Sequence, residues 1–199
     1  MPPSCRRAPG AHRSRAIPWL CGLMLAACSG CRSRSSALED AGIVLRPPAA
    51  WTAAPPASFQ VPGTPLAAWR GPEGSALVLF RTLPDPDGDA ESALAELTSR
   101  LQNLPGYRVV VGRVAEVGGR KAARVEVVAP GTGDAIAPTG TGVPVAPPGK
   151  ALVPTHWTAL VLPGRRGTIR LACYYPESAR ATLAPIVDEA IAGLNVRED

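Results

Sequence analysis

Apolar residues along the chain change rhythm several times, and each rhythm predicts an element. An uncharged, mostly apolar run from Ala16 to Ala27 follows a segment holding Arg6, Arg7, Arg13 and Arg15 and no acid. From Ser29 to Ala41 the chain is rich in Ser and Arg and almost free of large apolar groups, the composition of a flexible tether. A folded domain is predicted from Gly42. Ile43, Val44 and Leu45 make a brief strand stopped by Pro47 and Pro48, with Trp51 just beyond. The runs Leu66 to Trp69 and Ala76 to Leu83, separated by Gly71, Pro72 and Gly74, predict a hairpin. Ala90, Ala93, Leu94, Leu97, Leu101 and Leu104 then recur at the spacing of one helix face, and Pro105 and Gly106 end that helix.

Two strand-like runs follow, Tyr107 to Val117 and Arg120 to Ala129, joined by Gly118 and Gly119, a pair suited to a type I′ turn. Counting back from that turn puts Val110, Gly112, Val114, Ala123, Val125 and Val127 on one face. Arg113, Arg120, Arg124 and Glu126 fall on the other. That face reads as wet, and the apolar one as core. Gly, Pro and Thr dominate 130–154, predicting a long mobile loop. His156 to Leu162 and Thr168 to Tyr175 predict a hairpin about Arg165 and Arg166. Glu177 to Leu194 closes the chain as a second amphipathic helix, with Ala179, Leu183, Ile186, Val187, Ala190, Ile191 and Leu194 inward. The sum is a single α+β domain over 42–196, a mainly antiparallel sheet with two amphipathic helices.

The N-terminal run changes where that domain is expected to reside. A membrane-spanning helix needs roughly 20 apolar residues, and the stretch before Cys28 is shorter and interrupted by Pro18. A basic segment followed by a short apolar one is the layout of a signal peptide, here residues 1–27. Leu25, Ala26, Ala27 and Cys28 resemble the lipobox of bacterial lipoproteins: a branched apolar residue, two small residues and a cysteine. The resemblance implies cleavage between Ala27 and Cys28, acylation of the Cys28 thiol and amino group, and anchoring by several acyl chains. Residues 28–41 would tether the domain to the lipid. Ser29 stands where aspartate favours inner-membrane retention, so the resemblance implies the outer membrane, facing the periplasm.

Removing the signal alters the charge and the chemistry. The chain carries 21 basic and 16 acidic side chains. Four of the basic and none of the acidic ones precede Cys28, so the remainder nets +1 and lacks the basic footprint of a nucleic-acid binder. Cys5 and Cys21 leave with the signal and Cys28 becomes a thioether. Only Cys31 and Cys173 are left to pair, and they are read as free thiols because Cys31 lies in the tether.

Loss of His12 leaves His156 as the sole histidine, too few nitrogen and sulfur ligands for a transition-metal cluster. Hairpin register puts His156 and Cys173 diagonally on one face, which admits a Cys/His nucleophilic pair, but their companions Leu160, Leu162, Ile169 and Leu171 favour burial. Asp85, Asp87, Asp89 and Glu96 fit four places of a calcium loop, whereas Ala90 replaces its glycine and Pro86 sits inside it. Helix capping is the reading taken. Arg113, Arg120 and Arg124 form a candidate anion or partner patch unless Glu126 and a covering helix neutralise it. No phosphate loop, hydrolase elbow or cofactor motif is present.

The element order, the opening with Pro47, Pro48 and Trp51, the Gly118–Gly119 turn before a strand, and the closing helix after Cys173 and Tyr174 resemble the PsbP-like superfamily. That resemblance implies an α/β/α sandwich over about 42–196, from which the long loop at Pro130 is a departure, and carries no catalytic residue. Together the readings predict a membrane-anchored envelope lipoprotein with a non-enzymatic accessory or interaction domain and an envelope protein as partner. A periplasmic carrier of a small ligand or anion is the alternative, requiring a pocket between sheet and helix.

Overall fold

Alternation of apolar and polar residues drives most strand-forming runs into a main antiparallel sheet, as the computed structural model of the chain shows for residues 37–59, 61–85, 88–131 and 152–197. The strands are β1 (Ile43–Val44), β2 (Thr52–Ala54), β3 (Thr64–Arg70), β4 (Ala76–Thr82), β5 (Arg108–Val117), β6 (Arg120–Gly131), β7 (Val153–Leu162), β8 (Thr168–Pro176) and β9 (Asn195–Val196). The helices are α1 (Ala90–Gln102) and α2 (Arg180–Ala192). Seven strands form the main sheet in the order β2-β3-β4-β8-β7-β6-β5, and β1 pairs with β9 alone.

One helix covers each face, giving the α/β/α layering that the resemblance implies. On the first face α2 lays Leu183, Val187 and Ile191 over Leu77, Leu79, Leu160, Leu171, Cys173 and Tyr175 in a contiguous core. On the second, α1 packs Leu94, Leu97 and Leu101 against Val125 and Val127, while Phe59 and Val61 cover β4. Each fully buried Leu or Val contributes about 1.5–3 kcal/mol, so both faces are needed to hold the sheet. Asp89 starts α1, its Oδ1 accepting from the Ser92 N–H at 2.7 Å.

The predicted turn forms at Gly118 and Gly119, with φ of +57° and +75°. A side chain at Gly118 would also meet the Leu194 carbonyl at 2.9 Å, so the turn lies against the end of α2. The predicted hairpins about Gly71–Gly74 and Arg165–Arg166 form as well.

Several expectations need correction. Val110 does not face the α1 core: a bulge between Val109 and Val111 takes it out of the pairs, and Val109 packs inward instead. Strand structure enters the predicted loop at both ends, through Pro130↔Pro154 and Gly131↔Val153. Both prolines lie beyond the last pairs of β5 and β8, so their missing N–H leaves no ladder bond unmade on that side. The expected tether includes residues that dock: 37–40 form a helical turn, and Leu38 and Ala41 pack on the α2-face core. Strands β2 and β9 had no sequence signal, being two or three residues long. Cys28, the Ala27–Cys28 cleavage site, Cys31, Asp87 and residues 132–151 lie outside the described residues.

Candidate functional site

The polar side chains of β6 and β7 meet the flank of α2 in a chain of contacts with carboxylates, and this is where buried polar chemistry concentrates. Alternation brings Arg124, Glu126, His156 and Thr158 to the α2 side of the sheet, since Glu126 pairs with Thr158 and His156 with Val128. Arg124 is 8% exposed and His156 completely buried. Buried charge demands partners, and the fold supplies them. Arg124 Nη2 donates to Glu126 Oε1 at 2.6 Å and to Asp188 Oδ1 on α2 at 2.5 Å. Burial of the guanidinium opposes its charge. The hydrogen bond and charge of Asp188, with Glu126 behind them, outweigh that and raise its pKa above the ordinary arginine value.

His156 is placed between two carboxylates. Its Nδ1 lies 3.0 Å from Glu177 Oε2, in the turn that opens α2, and its Nε2 lies 3.5 Å from Glu126 Oε2. Its ring stacks on Tyr175, centroids 5.1 Å apart. Glu177 in turn faces Arg180 at 3.6 Å. Glu126 is thus shared between Arg124 and His156, joining two connections from sheet to helix. The arrangement orients α2; it presents no free nucleophile.

The Cys/His reading fails on this geometry. His156 is turned to Glu177 through Nδ1 with Glu126 beside its Nε2, and burial pushes the fully enclosed Cys173 thiol far up, disfavouring the thiolate. Cys173 is a free, buried thiol. Burial also raises the neighbouring Tyr175 phenol, with Cys173 and Glu126 adding to the shift.

Arg113, Arg120 and Arg124 share the α2 side, as the register predicted, and Arg113 stands directly across from Arg124. Their surroundings differ. Arg124 is enclosed, so the face expected to be wet is covered at this point by the helix that carries Asp188. Arg120 donates to the Pro163 carbonyl. Arg113 is exposed, with no ion pair among the described residues.

Of the acidic series, Asp89 is the helix cap and the hydrogen bond from Ser92 lowers its pKa. Glu91 pairs with Lys121 at 2.9 Å. An open depression of about 470 Å³ lies here, lined by Gly88, Asp89, Ala90, Glu91, Lys121 and Pro163. Its two carboxylates oppose an anion, and one already holds the lysine. Among the described residues no group of His, Cys, Asp or Glu has metal-site geometry, and no helix is long and apolar enough to cross a membrane.

Sequence reasoning missed Glu177, Arg180 and Asp188. The available signal was the alternation of Arg124 and Glu126 with His156 in runs otherwise apolar, which requires counter-charges on whatever covers them.

No protein-family model matches the chain, and neither does any curated protein. Solved structures do. LpqN, involved in cell envelope biogenesis of Mycobacterium tuberculosis, superposes with a TM-score of 0.51 at 17% identity, over 78% of this chain and 83% of that one. The cyanobacterial PsbP protein, CyanoP, from Synechocystis gives 0.52 at 14% identity, over 79% and 88%. At such identities the likeness is one of fold: an α+β sandwich of the PsbP kind.

Proposed function

We propose that the protein is a lipid-anchored envelope protein whose sandwich domain acts as an accessory or interaction module without catalytic activity of its own. The observation that carries this reading is the Leu25-Ala26-Ala27-Cys28 sequence directly after a short apolar run, in front of a domain with its own core. Cys28 carries the lipid, Ala27–Cys28 is the cleaved bond, and the domain faces the periplasm from the outer membrane. Several acyl chains on one residue hold a protein on a bilayer where one chain does so only marginally. Envelope residence also agrees with the role of LpqN, whose fold this domain shares. A non-enzymatic role is supported by the site itself, where Arg124 and His156 are engaged by Asp188 and Glu177 and so tie α2 to the sheet.

The test is Cys28→Ser in the native host, with radiolabelled palmitate and membrane fractionation. Lipidation predicts that wild type takes up label and sediments with membranes, and that the variant stays an unlabelled precursor. A variant that is processed, labelled and anchored like wild type defeats the proposal.

A further inference from the structure

The two borders of the main sheet are unlike. β2 offers three residues, too few to template another strand, whereas β5 offers ten and has no strand on its outer side among the described residues. From Val111 to Val117 its register with β6 is unbroken. In a two-residue hairpin the closing pair, here Val117 and Arg120, exchanges both backbone bonds. Ala115, Arg113 and Val111 therefore bond inward to β6, and the N–H and C=O groups of Gly112, Val114 and Glu116 turn outward.

The side chains along this border are sorted by sign. The bulge at Val109–Val111 leaves Arg108, Val111, Arg113 and Ala115 on the α2 side, since their partners are Val128, Glu126, Arg124 and Ala122. Arg108 and Arg113 are exposed, and β5 has no acid on that side. The nearby carboxylates are engaged elsewhere, Glu126 by Arg124 and His156 and Asp188 by Arg124. An added strand with acidic residues on the same side would meet two unneutralised arginines. A second copy of this chain would not: a two-fold pairing of β5 with itself keeps each side on its side and brings both copies' arginines together.

We propose that the β5 border docks an extended acidic peptide segment of a partner protein by strand addition, Gly112, Val114 and Glu116 supplying the backbone bonds and Arg108 and Arg113 the charge selection. This deepens the interaction-module reading and rests on it for its biological setting. The geometry of the border does not depend on the lipid.

The experiment uses the full chain in detergent micelles with three labelled short peptides. One alternates glutamate and valine, the second has lysine for glutamate, and the third is the glutamate peptide with prolines at alternate valines. Fluorescence anisotropy is expected to show binding of the first peptide only. The double variant Arg108→Glu/Arg113→Glu is expected to weaken it roughly tenfold and to favour the lysine peptide, since two cross-strand pairs turn from attractive to repulsive. Val114→Pro is expected to abolish binding. Because that variant risks the fold, amide exchange on wild type gives a second readout. On binding, the Gly112, Val114 and Glu116 amides become protected, while those of Val111, Arg113 and Ala115 are protected throughout.

Equal binding of the proline peptide, unchanged exchange at the three outward amides, or indifference to the double variant overturns the proposal. Dimers that Val114→Pro dissolves would overturn it too, with a second copy as the occupant. Cys28→Ser leaves this titration unchanged, so failed anchoring and failed strand docking are told apart.

Discussion

The two faces of the sheet solve the same burial problem in different ways. The α2 face is one continuous core, and at its margin buried polar side chains are met by carboxylates: Arg124 by Glu126 and Asp188, His156 by Glu126 and Glu177. The α1 face is split into two clusters that meet only at Trp157. Its charges are looser: burial lowers the Arg170 pKa, with Glu96 countering and Arg100 adding to the shift. The difference teaches that α2 is fixed by both packing and ion pairs, whereas α1 is held by a leucine stripe, a cap and one surface pair.

That contrast has a measurable ranking. Leu171→Ala opens a hole at the centre of the α2 core and is expected to cost about 4 kcal/mol in urea unfolding. Leu101→Ala, nearer the end of α1, is expected to cost about 2 kcal/mol. Equal losses, or the reverse order, would break the comparison.

Arg124→Met comes next. It leaves Glu126 enclosed beside His156 without its main partner, and about 3 kcal/mol of stability is expected to go. Adding Glu126→Leu should return part of it, because the stranded carboxylate is then gone. Simple additivity in that cycle would mean that the two residues do not work as a pair.

The α2 core is also expected to weaken in alkali. The Cys173 thiol has an ordinary pKa of 9.0 and is raised in the folded state. Above 9.0 the unfolded chain loses a proton that the folded chain keeps, so stability falls with rising pH by up to about 1.4 kcal/mol per unit. Tyr175 adds to this once its ordinary value of 10.0 is passed. Cys173→Ala should make the profile shallower between these values, and an unchanged slope would contradict the assignment.

The smallest effect belongs to the α1 face. Asp89 has a lowered pKa in the folded state, so its capping contribution is present above the ordinary carboxyl value of 3.8 and lost as pH falls through the folded one. Asp89→Ala should therefore lower the Tm slightly at neutral pH and not at all in strong acid.

Much of this architecture was legible because it is local and periodic. The α1 leucines, the glycine turn at 118–119 and the three hairpins each announce themselves within a few residues. What the sequence hid depends on distance or on a single residue. The brief strand at Ile43–Val44 was visible, but its partner β9 is too short to show a period and comes from the opposite end of the domain. The bulge at Val110 changes a whole side assignment through one inserted residue. At the candidate site Arg124, Glu126 and His156 were visible as polar residues in strands, but Asp188 and Glu177 became their partners only once α2 crossed the sheet. The arginine patch shows the same limit: one register places three guanidiniums together, and only the covering helix separates enclosed Arg124 from exposed Arg113.

The central claim about where the domain works is that the mature chain begins at a lipid-bearing Cys28. Intact-mass spectrometry of the protein purified from envelope membranes tests it in one step. The expected species starts at Cys28 and carries the mass of a diacylglyceryl thioether and an N-linked acyl chain. A species that retains residues 1–27, or that begins elsewhere without added lipid, would contradict it.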